Sequence, residues 1–346
     1  GCKGCRRECP TGVDMSRMKI EAAYQRNKQR RPGKRERLFA YLPRYAPWAS
    51  RLWYLLNLRD RLPGLAVFSE WLLGLAAARR LPRWRSFPFR GGMTMGKGDA
   101  GEVVLLVDTF STWFEPVVAH AAIAVLVSAG YCVHLPRATD GNRPLCCGRT
   151  FLSGGLVDEA RVEARRTLAA LAPYIQNGTP IIGLEPSCLL TLRDEWTAMS
   201  LGSDADKLAE IAVLFEEFLA AENDAGRLTL NLRPIDRTRA LIHGHCHQKA
   251  FAAVGAVEKA LRLIPDFEVE TIASGCCGMA GSFGYEAEHY ELSMNMGELD
   301  LLPAARKTTD EVAIVADGMS CRHQIRDGAG REAVHAAVLL ESALDR

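Results

Sequence analysis

The chain has 346 residues, of which 48% are hydrophobic and 24% are charged. These ordinary globular values exclude a disordered chain, a collagen-like repeat and a polytopic membrane protein, and the length predicts two domains or one duplicated domain. The net charge of +2 is unevenly distributed, because residues 1–97 carry 22 Lys and Arg against 6 Asp and Glu, whereas residues 98–346 carry 21 against 35. The basic part therefore faces an anionic partner or packs on the acidic part of the same chain.

The first 35 residues begin with three cysteines, Cys2, Cys5 and Cys9, in the pattern C-x2-C-x3-C-P. Bacterial ferredoxins bind [4Fe-4S] clusters through C-x2-C-x2-C-x3-C-P, so the pattern predicts the truncated end of a ferredoxin-like segment. Zinc would need further ligands, and a disulfide would leave one thiol unpaired. Because the first cysteine of the motif would precede Gly1, we expect the chain to be part of a longer protein. The basic stretch that follows is predicted to be a linker or docking arm.

Residues 36–100 mix Arg with aromatic and aliphatic residues and are interrupted by prolines. This pattern predicts a linker of short amphipathic helices that pack on another protein surface or lie on a membrane. The apolar stretch 62–78 is broken by Pro63, Gly64 and Glu70, so no transmembrane helix is predicted. Eleven cysteines without a preceding signal peptide favour thiolate ligands in a reducing compartment. We therefore expect a cytoplasmic protein, and leave open a peripheral contact at the inner membrane face.

After residue 100, segments typical of strands and helices alternate twice. In the first half, strands are predicted at residues 103–107, 133–136 and 180–184, and helices at 116–130 and 158–174. In the second half, strands are predicted at 240–243, 268–272 and 312–316, and helices at 250–264 and 290–306. The alternation predicts right-handed βαβ crossovers and a parallel sheet in each half. The predicted fold is α/β, with two tandem Rossmann-like repeats at residues 101–232 and 233–346.

Cysteines recur at matching places in the two halves. Cys146-Cys147-Gly148 follows the second strand of the first half, and Cys276-Cys277-Gly278 follows the second strand of the other. After each third strand comes Ser-Cys, which places Cys188 and Cys321. Such matching predicts an internal duplication. Because ligands of parallel sheets gather at the carboxyl ends of the strands, we expect the cysteines of each half to meet at one edge of its sheet.

The second half has one more cysteine, after its first strand, and so has four thiols in all: Cys246, Cys276, Cys277 and Cys321. Four thiols are enough to bind a [4Fe-4S] cluster, and soft thiolates favour iron–sulfur or zinc. His245 and His247 flank Cys246. They are candidate ligands or donors to a ligand, although each alone is equally well explained as an ordinary hydrogen-bonded histidine. His243 is interpreted in that ordinary way.

The first half has three thiols, those of Cys146, Cys147 and Cys188. Asp108-Thr109-Phe110 stands where the second half has Cys246. This site binds a single zinc or iron ion with a fourth ligand from His, carboxylate or water, or it is a decayed site, or its cysteines are small core residues. Cys132, alone in a strand region, is predicted to lie in the core.

These motifs resemble those of CCG cysteine-rich proteins, such as the cysteine-rich subunit of heterodisulfide reductase and the iron–sulfur subunits of glycolate oxidase and anaerobic glycerol-3-phosphate dehydrogenase. The fuller CCG motif ends in C-x2-C, but Glu185 and Gly318 stand where its first cysteine would be. The chain is more similar to the C-terminal part of large FAD-linked D-2-hydroxyacid dehydrogenases, of the D-2-hydroxyglutarate or D-lactate dehydrogenase type. Seven segments carry this resemblance: residues 5–14 (CRRECPTGVD), 108–116 (DTFSTWFEP), 146–155 (CCGRTFLSGG), 184–192 (LEPSCLLTL), 243–249 (HGHCHQK), 275–286 (GCCGMAGSFGYE) and 316–321 (ADGMSC).

The resemblance implies the electron-transfer part of an oxidoreductase. FAD bound to a preceding portion would oxidise a D-2-hydroxy acid to the 2-oxo acid, and [4Fe-4S] clusters would pass its electrons on. Cys246, Cys276, Cys277 and Cys321 would hold the cluster of the second half, and the N-terminal cysteines would serve the ferredoxin pair. The implied partners are an FAD-binding domain of the same polypeptide or a flavoprotein subunit, and an acceptor such as a quinone or a cytochrome, without nucleic acid. No catalytic residue is assigned, because this chain alone is expected not to oxidise the substrate.

Two other hypotheses stay open. The chain could be a separate iron–sulfur subunit of a flavin- or quinone-linked dehydrogenase, or of a complex like heterodisulfide reductase. It could also be a zinc-stabilised interaction module without a redox role, which would be colourless when purified.

Overall fold

The alternating pattern predicted after residue 100 forms two sheets in the computed structural model of the chain, which describes residues 2–141 and 143–345. The first sheet has strands β1 (Thr94–Met95), β2 (Gly101–Leu106), β3 (Tyr131–His134), β4 (Ile181–Gly183) and β5 (Ala212–Leu214), in the order β1-β3-β2-β4-β5. The second has β6 (Arg239–Ile242), β7 (Glu268–Thr271), β8 (Val312–Val315) and β9 (Ala333–Val334), in the order β7-β6-β8-β9. All neighbouring strands are parallel except β1, which pairs with β3 in the antiparallel direction. The predicted α/β fold with parallel sheets is confirmed.

Helices precede the sheets and connect their strands. The N-terminal part contains α1 (Gly4–Glu8), α2 (Met15–Gln29), α3 (Lys34–Ala40), α4 (Leu42–Ala49), α5 (Trp53–Leu56) and α6 (Leu65–Leu73). The first sheet is connected and followed by α7 (Thr109–Trp113), α8 (Pro116–Ser128), α9 (Arg149–Ser153), α10 (Val157–Gln176), α11 (Pro186–Arg193), α12 (Ser203–Ile211) and α13 (Phe215–Asp224). The second has α14 (Cys246–Ala250), α15 (Val254–Leu261), α16 (Tyr290–Glu298), α17 (Leu301–Arg306), α18 (Met319–Ala329) and α19 (Ala336–Ser342).

Several elements differ from the prediction, each for a local reason. Of the predicted helix 250–264, only the part in α15 and the single residue Ala250 at the end of α14 are helical, since Ala252 has φ +56°, which a right-handed helix does not accommodate. The predicted helix 290–306 is also two helices, because Pro303 fits only the first turn of a new one. The docking arm is largely helical, and the Asp14 side chain caps α2 by accepting from the Arg17 N–H at 3.2 Å. Strands β1 and β9 are absent from the prediction, because two residues are too few to show a periodicity. Strand β5 is absent as well, because it lies directly between α12 and α13 with no residue separating it from either helix.

The two sheets, each with its own helices, share one apolar core. Helix α8 beside the first sheet packs on α19 beside the second, and α13 packs on α15. Ala119 and Ala122 in α8 belong to the same buried cluster as Ala336 and Ala337 in α19. Small side chains let helix backbones approach closely. The carboxyl ends of both sets of strands are therefore held in a fixed relation to each other.

The segment 36–100 packs on the second sheet's helices through one buried arginine. Arg79 is fully buried, and its Nε and Nη2 donate to the Gly284 carbonyl at 3.1 Å and to the Ser293 hydroxyl at 3.3 Å. Its Nη1 lies 3.5 Å from a carboxylate oxygen of Asp327.

Within residues 2–141 and 143–345, no helix is both long enough and apolar enough to cross a bilayer.

Replacing Arg79 tests whether this contact holds the segment. We expect Arg79→Ala to lower the free energy of unfolding by about 3 kcal/mol, because it removes a buried charge from its partners. Arg80, which is exposed and adjacent in the chain, provides the control. Arg80→Ala should change the free energy of unfolding by less than about 0.5 kcal/mol. Urea denaturation of both variants measures the difference, and equal losses would contradict the role given to Arg79.

Candidate metal centre

The four thiols of the second sheet lie at the carboxyl ends of three adjacent strands. Cys246 begins α14 directly after β6, Cys276 and Cys277 follow β7, and Cys321 lies in the first turn of α18 after β8. The Sγ atoms of Cys277 and Cys321 are 3.4 Å apart, and Cys276 is hydrogen-bonded to both Cys246 and Cys277. The structure therefore brings together the four cysteines that the sequence singled out. We call this group the second site.

Burial and mutual contact decide the ionisation of these thiols. The pKa of Cys246 is raised, first by its hydrogen bond to Cys276 and then by burial. The pKa of Cys276 is lowered, because the side chains of Cys2 and Cys246 donate hydrogen bonds to its sulfur. Several thiolates in one buried place repel one another, and a bound cationic group relieves that repulsion. The donor set consequently fits a thiolate-bound metal group.

Two glycines shape the second site by close contact. Gly278 has φ +94°, and a Cβ there would lie 2.1 Å from the Ser293 carbonyl oxygen, while its own N–H donates to Cys276 Sγ at 3.4 Å. At Gly318, where the fuller CCG motif has a cysteine, a Cβ would lie 2.4 Å from Cδ2 of His245. Because His245 occupies that space, a side chain at position 318 would displace it.

The three histidines around Cys246 have different contacts. His247 has its Nδ1 3.6 Å from Cys246 Sγ, so it is placed beside a thiol. His245 caps α14, since its Nδ1 accepts from the His247 N–H at 3.2 Å, and burial lowers its pKa to about 3. His243 was interpreted as an ordinary histidine, yet a ring nitrogen of its side chain lies within 4.8 Å of the thiols of Cys277 and Cys321. The sequence did contain a signal for this role of His243, because His243, His245 and His247 alternate around Cys246.

The N-terminal cysteines lie against the second site. Helix α1 packs on α14, and the Cys2 side chain is hydrogen-bonded to Cys276. Buried Lys3 fixes this end of the chain, because its ammonium contacts Asp14 at 2.8 Å, Glu195 at 3.0 Å and also Asp194. Cys5 and Cys9 are half-buried. This neighbourhood joins residues more than 240 positions apart, so no local pattern could reveal it.

The first site, formed by Cys146, Cys147 and Cys188, is closed. All three residues are buried, and the cavity beside them measures only about 10 Å³, close to the space of one water. Thr109 begins α7 just as Cys246 begins α14, and its hydroxyl lies 3.8 Å from Cys146 Sγ. A hydroxyl thus takes the place of the fourth thiol. Cys132, which was predicted to lie in the core, is only half-buried in β3, and it lines neither the cavity of the first site nor that of the second.

The second site opens into a large cavity of about 790 Å³. Cys2, Cys246, Cys276 and Cys277 line one part of it, and apolar residues of α3–α6 line much of the rest. The thiols thus face open space, in contrast to the closed first site.

Comparisons with known proteins agree with this geometry. Residues 240–326 match the cysteine-rich domain family, CCG. The chain is 28% identical over 246 residues to a subunit of the anaerobic glycerol-3-phosphate dehydrogenase of Escherichia coli (strain K12), an alignment that covers 70% of this chain and 59% of that protein. It is 24% identical over 343 residues to D-2-hydroxyglutarate dehydrogenase of the same strain, covering 94% of this chain and 32% of that protein. Lactate utilization protein A of Bacillus velezensis is 25% identical over 228 residues, 62% of this chain and 87% of that protein.

The CCG match covers the strands and all four thiols of the second site. The predicted resemblance to CCG proteins and to D-2-hydroxyglutarate dehydrogenases is confirmed. The chain spans about a third of the D-2-hydroxyglutarate dehydrogenase and three fifths of the glycerol-3-phosphate dehydrogenase subunit, so the activities in those names describe longer proteins.

A pair of glycine substitutions tests the shape of the second site. We expect Gly281→Ala to cost about 1 kcal/mol of unfolding free energy, because position 281 has φ +77° but no atom within 4 Å of the added Cβ. Gly278→Ala should cost clearly more, since the Ser293 carbonyl must also move. Urea denaturation of both variants provides the comparison. Similar losses would show that the contact with Ser293 does not constrain the CCG turn.

Proposed function

We propose that the second site binds a [4Fe-4S] cluster through Cys246, Cys276, Cys277 and Cys321, and that the chain is the electron-transfer part of an FAD-linked oxidoreductase. The observation that carries this proposal is the convergence of four thiols from three adjacent strand ends, three of which, those of Cys246, Cys276 and Cys277, line one cavity. When bound, such a cluster takes up and gives away single electrons, and so joins a two-electron flavin to a further acceptor.

The residues around the thiols support this role by holding ligands and excluding water. Cys246, Cys277 and Cys321 are buried, and low exposure keeps thiolate-bound groups from exchanging with solvent. The Gly278 N–H points at Cys276 Sγ, and His247 lies beside Cys246 Sγ. Donors of this kind near ligand sulfurs tune a reduction potential, as does the local dielectric.

The position of the N-terminal cysteines supports a short route for electrons. By the ferredoxin-like motif, we assign Cys2, Cys5 and Cys9 to the binding of [4Fe-4S] clusters. Cys2 touches Cys276, so this segment adjoins the second site without intervening protein. We infer that the chain carries electrons between these two places.

The substrate and the flavin partner are proposed from the relatives. The D-2-hydroxyglutarate dehydrogenase of Escherichia coli matches 94% of this chain, which supports a D-2-hydroxy acid as the substrate and an FAD-binding domain in the same polypeptide. The similarity to a dehydrogenase subunit supports the second candidate, a separate iron–sulfur subunit that docks a flavoprotein. The mass of the native polypeptide distinguishes these two arrangements, because a polypeptide that includes an FAD-binding domain is much larger than a separate iron–sulfur subunit. In either one we place the protein in the cytoplasm.

The cysteines of the second site can be tested against a matched control. We expect the chain, purified without oxygen, to contain iron and sulfide and to absorb broadly at about 400 nm, as thiolate-bound iron does. Cys276→Ser should lose most of that absorption, because serine is a poor ligand for this soft metal group. Cys132→Ser should retain it, since Cys132 lies away from the site. Absorption spectra with iron, sulfide and zinc analysis measure this, and a colourless or zinc-loaded chain would overturn the proposal.

The first site provides a further prediction. We propose that it binds no iron–sulfur cluster, because its cavity is small and Thr109 replaces the fourth thiol. Cys188→Ser should therefore leave the iron content per chain and the electron paramagnetic resonance spectrum of the reduced protein unchanged. Loss of iron from a variant that remains folded by circular dichroism would show that the first site is also a metal centre.

A further inference from the structure

Three buried polar side chains meet where the two repeats join. Glu216 follows β5 of the first sheet, whereas Asp317 and His335 follow β8 and β9 of the second. All three are buried, and one ligand atom of each lies within 4.8 Å of those of the other two. None of the three lines the cavity of either cysteine site. We call Glu216, Asp317 and His335 the interface cluster.

The atoms that face one another in the interface cluster are all hydrogen-bond acceptors. His335 Nδ1 lies 3.7 Å from Asp317 Oδ1 and 3.8 Å from Glu216 Oε1. This nitrogen accepts from the Ala337 N–H at 3.0 Å, and His335 Nε2 donates to the Leu184 carbonyl at 3.0 Å, so the imidazole is neutral. Burial also lowers the pKa of His335. The histidine therefore does not neutralise either carboxylate.

Glu216 is the member of the interface cluster that lacks a partner. Apart from its own N–H, no donor among the described residues reaches either of its carboxylate oxygens. Arg322 acts on Glu216 electrostatically, but the Arg322 guanidinium is engaged with Glu115 and with two backbone carbonyls. Two buried carboxylates and an imidazole lone pair that face one another repel unless a proton or a metal cation lies between them.

The distances within the interface cluster fit one metal ion. Transition-metal ions bind imidazole nitrogen and carboxylate oxygen at about 2.0–2.2 Å, so two ligands of one ion are at most about 4.4 Å apart. Both separations from His335 Nδ1 to the carboxylate oxygens, 3.7 and 3.8 Å, lie below that limit. Two carboxylates and one imidazole suit Mn²⁺, Fe²⁺ or Zn²⁺. Binding gives the Nδ1 lone pair to the ion in place of the Ala337 N–H, and one helix-cap hydrogen bond is lost.

We propose that Glu216, Asp317 and His335 bind one divalent transition-metal ion that joins the two repeats. The ion supplies the positive charge that the two buried carboxylates lack, and it ties α13 of the first repeat to the turns after β8 and β9 of the second. Asp317 also accepts from Gln248 Nε2 at 2.8 Å, and it directly precedes the N-cap of α18. The ion thus holds the turn from which the helix of Cys321 begins. This site is separate from the cluster proposed for the second site.

A proton is the alternative occupant of the interface cluster. Burial raises the pKa of Glu216 well above its ordinary range, and the nearby Asp317 carboxylate raises it further. Without an ion, Glu216 would therefore hold a proton. Glu216→Gln distinguishes the two occupants, because an amide has the shape and the neutrality of the protonated acid but lacks the charge that holds a cation.

The test counts metal in the chain produced with Mn²⁺ in the growth medium and purified without oxygen. After dialysis against metal-free buffer, manganese, zinc and the iron in excess of sulfide are measured per chain. Sulfide matches the iron of a [4Fe-4S] cluster, so the count does not depend on the second site. We expect the unaltered chain to carry about one ion more than Glu216→Gln. Glu288→Gln is the control and should retain the ion, because it removes a carboxylate from another group of possible ligands, Glu286, Glu288 and His289, which is partly exposed.

Thermal unfolding provides a second readout. Loss of a bound ion should lower the melting temperature of Glu216→Gln by several degrees, whereas glutamine in place of a protonated acid should leave it unchanged. If Glu216→Gln does not fold, Glu216→Asp takes its place and should also carry less metal, because its carboxylate is too short to reach the ion. Equal metal counts in the unaltered chain and the Glu216 variant, an unchanged melting temperature, or loss of the ion from Glu288→Gln instead would overturn the proposal.

Discussion

The structure depends on collecting four thiols where water is largely excluded. Strands β7, β6 and β8 are neighbours, so the turns at their carboxyl ends meet, and each turn contributes at least one cysteine. The hydrogen bond to Cys276 and burial raise the pKa of Cys246. The pKa of Cys277 is lowered by its hydrogen bond with Cys276, but its hydrogen bond to Cys321 and burial outweigh that effect and raise it. Several thiolates in this place are therefore costly without a compensating positive charge. The close glycine contacts at positions 278 and 318 and the histidines around Cys246 are arranged about that requirement.

Polar residues that follow the strands of the first sheet bind residues around the second site. Glu185 caps its own helix α11, and its other oxygen accepts from the Met319 N–H at 2.9 Å, at the start of the helix that carries Cys321. His335 of the second repeat has its Nε2 3.0 Å from the Leu184 carbonyl, and Arg322 pairs with Glu115. The polar groups that follow the strands of the first repeat are thus engaged across the interface. Three of the four thiols of the second site thus line a large cavity, whereas the first site is closed over its three cysteines and Glu185 beside it holds the start of α18.

Features carried by local patterns were predictable from the sequence. The apolar runs of β2, β6 and β8, the two CCG turns and the matching Ser-Cys pairs predicted the parallel sheets and the grouping of Cys246, Cys276, Cys277 and Cys321. Strands of two or three residues, such as β9, have no period to detect. The contact of Cys2 with Cys276 depends on how α1 packs on α14, and the proximity of His243 to Cys277 depends on strand order. Packing between distant segments determines such contacts, and a single sequence does not record it.

The basic N-terminal part was expected either to pack on the acidic part of the same chain or to face an anionic partner. The structure shows the first arrangement for some basic residues and leaves others without a carboxylate partner. Lys3, Arg17, Arg35 and Arg44 pair with carboxylates of the acidic part, so the basic N-terminus does pack on the same chain. Among the seven arginines of residues 48–87, Arg79 pairs with Asp327 of the acidic part and Arg59 pairs with its neighbour Asp60. The other five form no ion pair with a described carboxylate and lie in a segment with many exposed Trp and Leu side chains. Positive charge that no carboxylate of the described chain neutralises is available to an anionic partner. Leu55 and Phe68 of this segment also line the cavity at the second site, so a partner bound here would cover part of the cavity's rim.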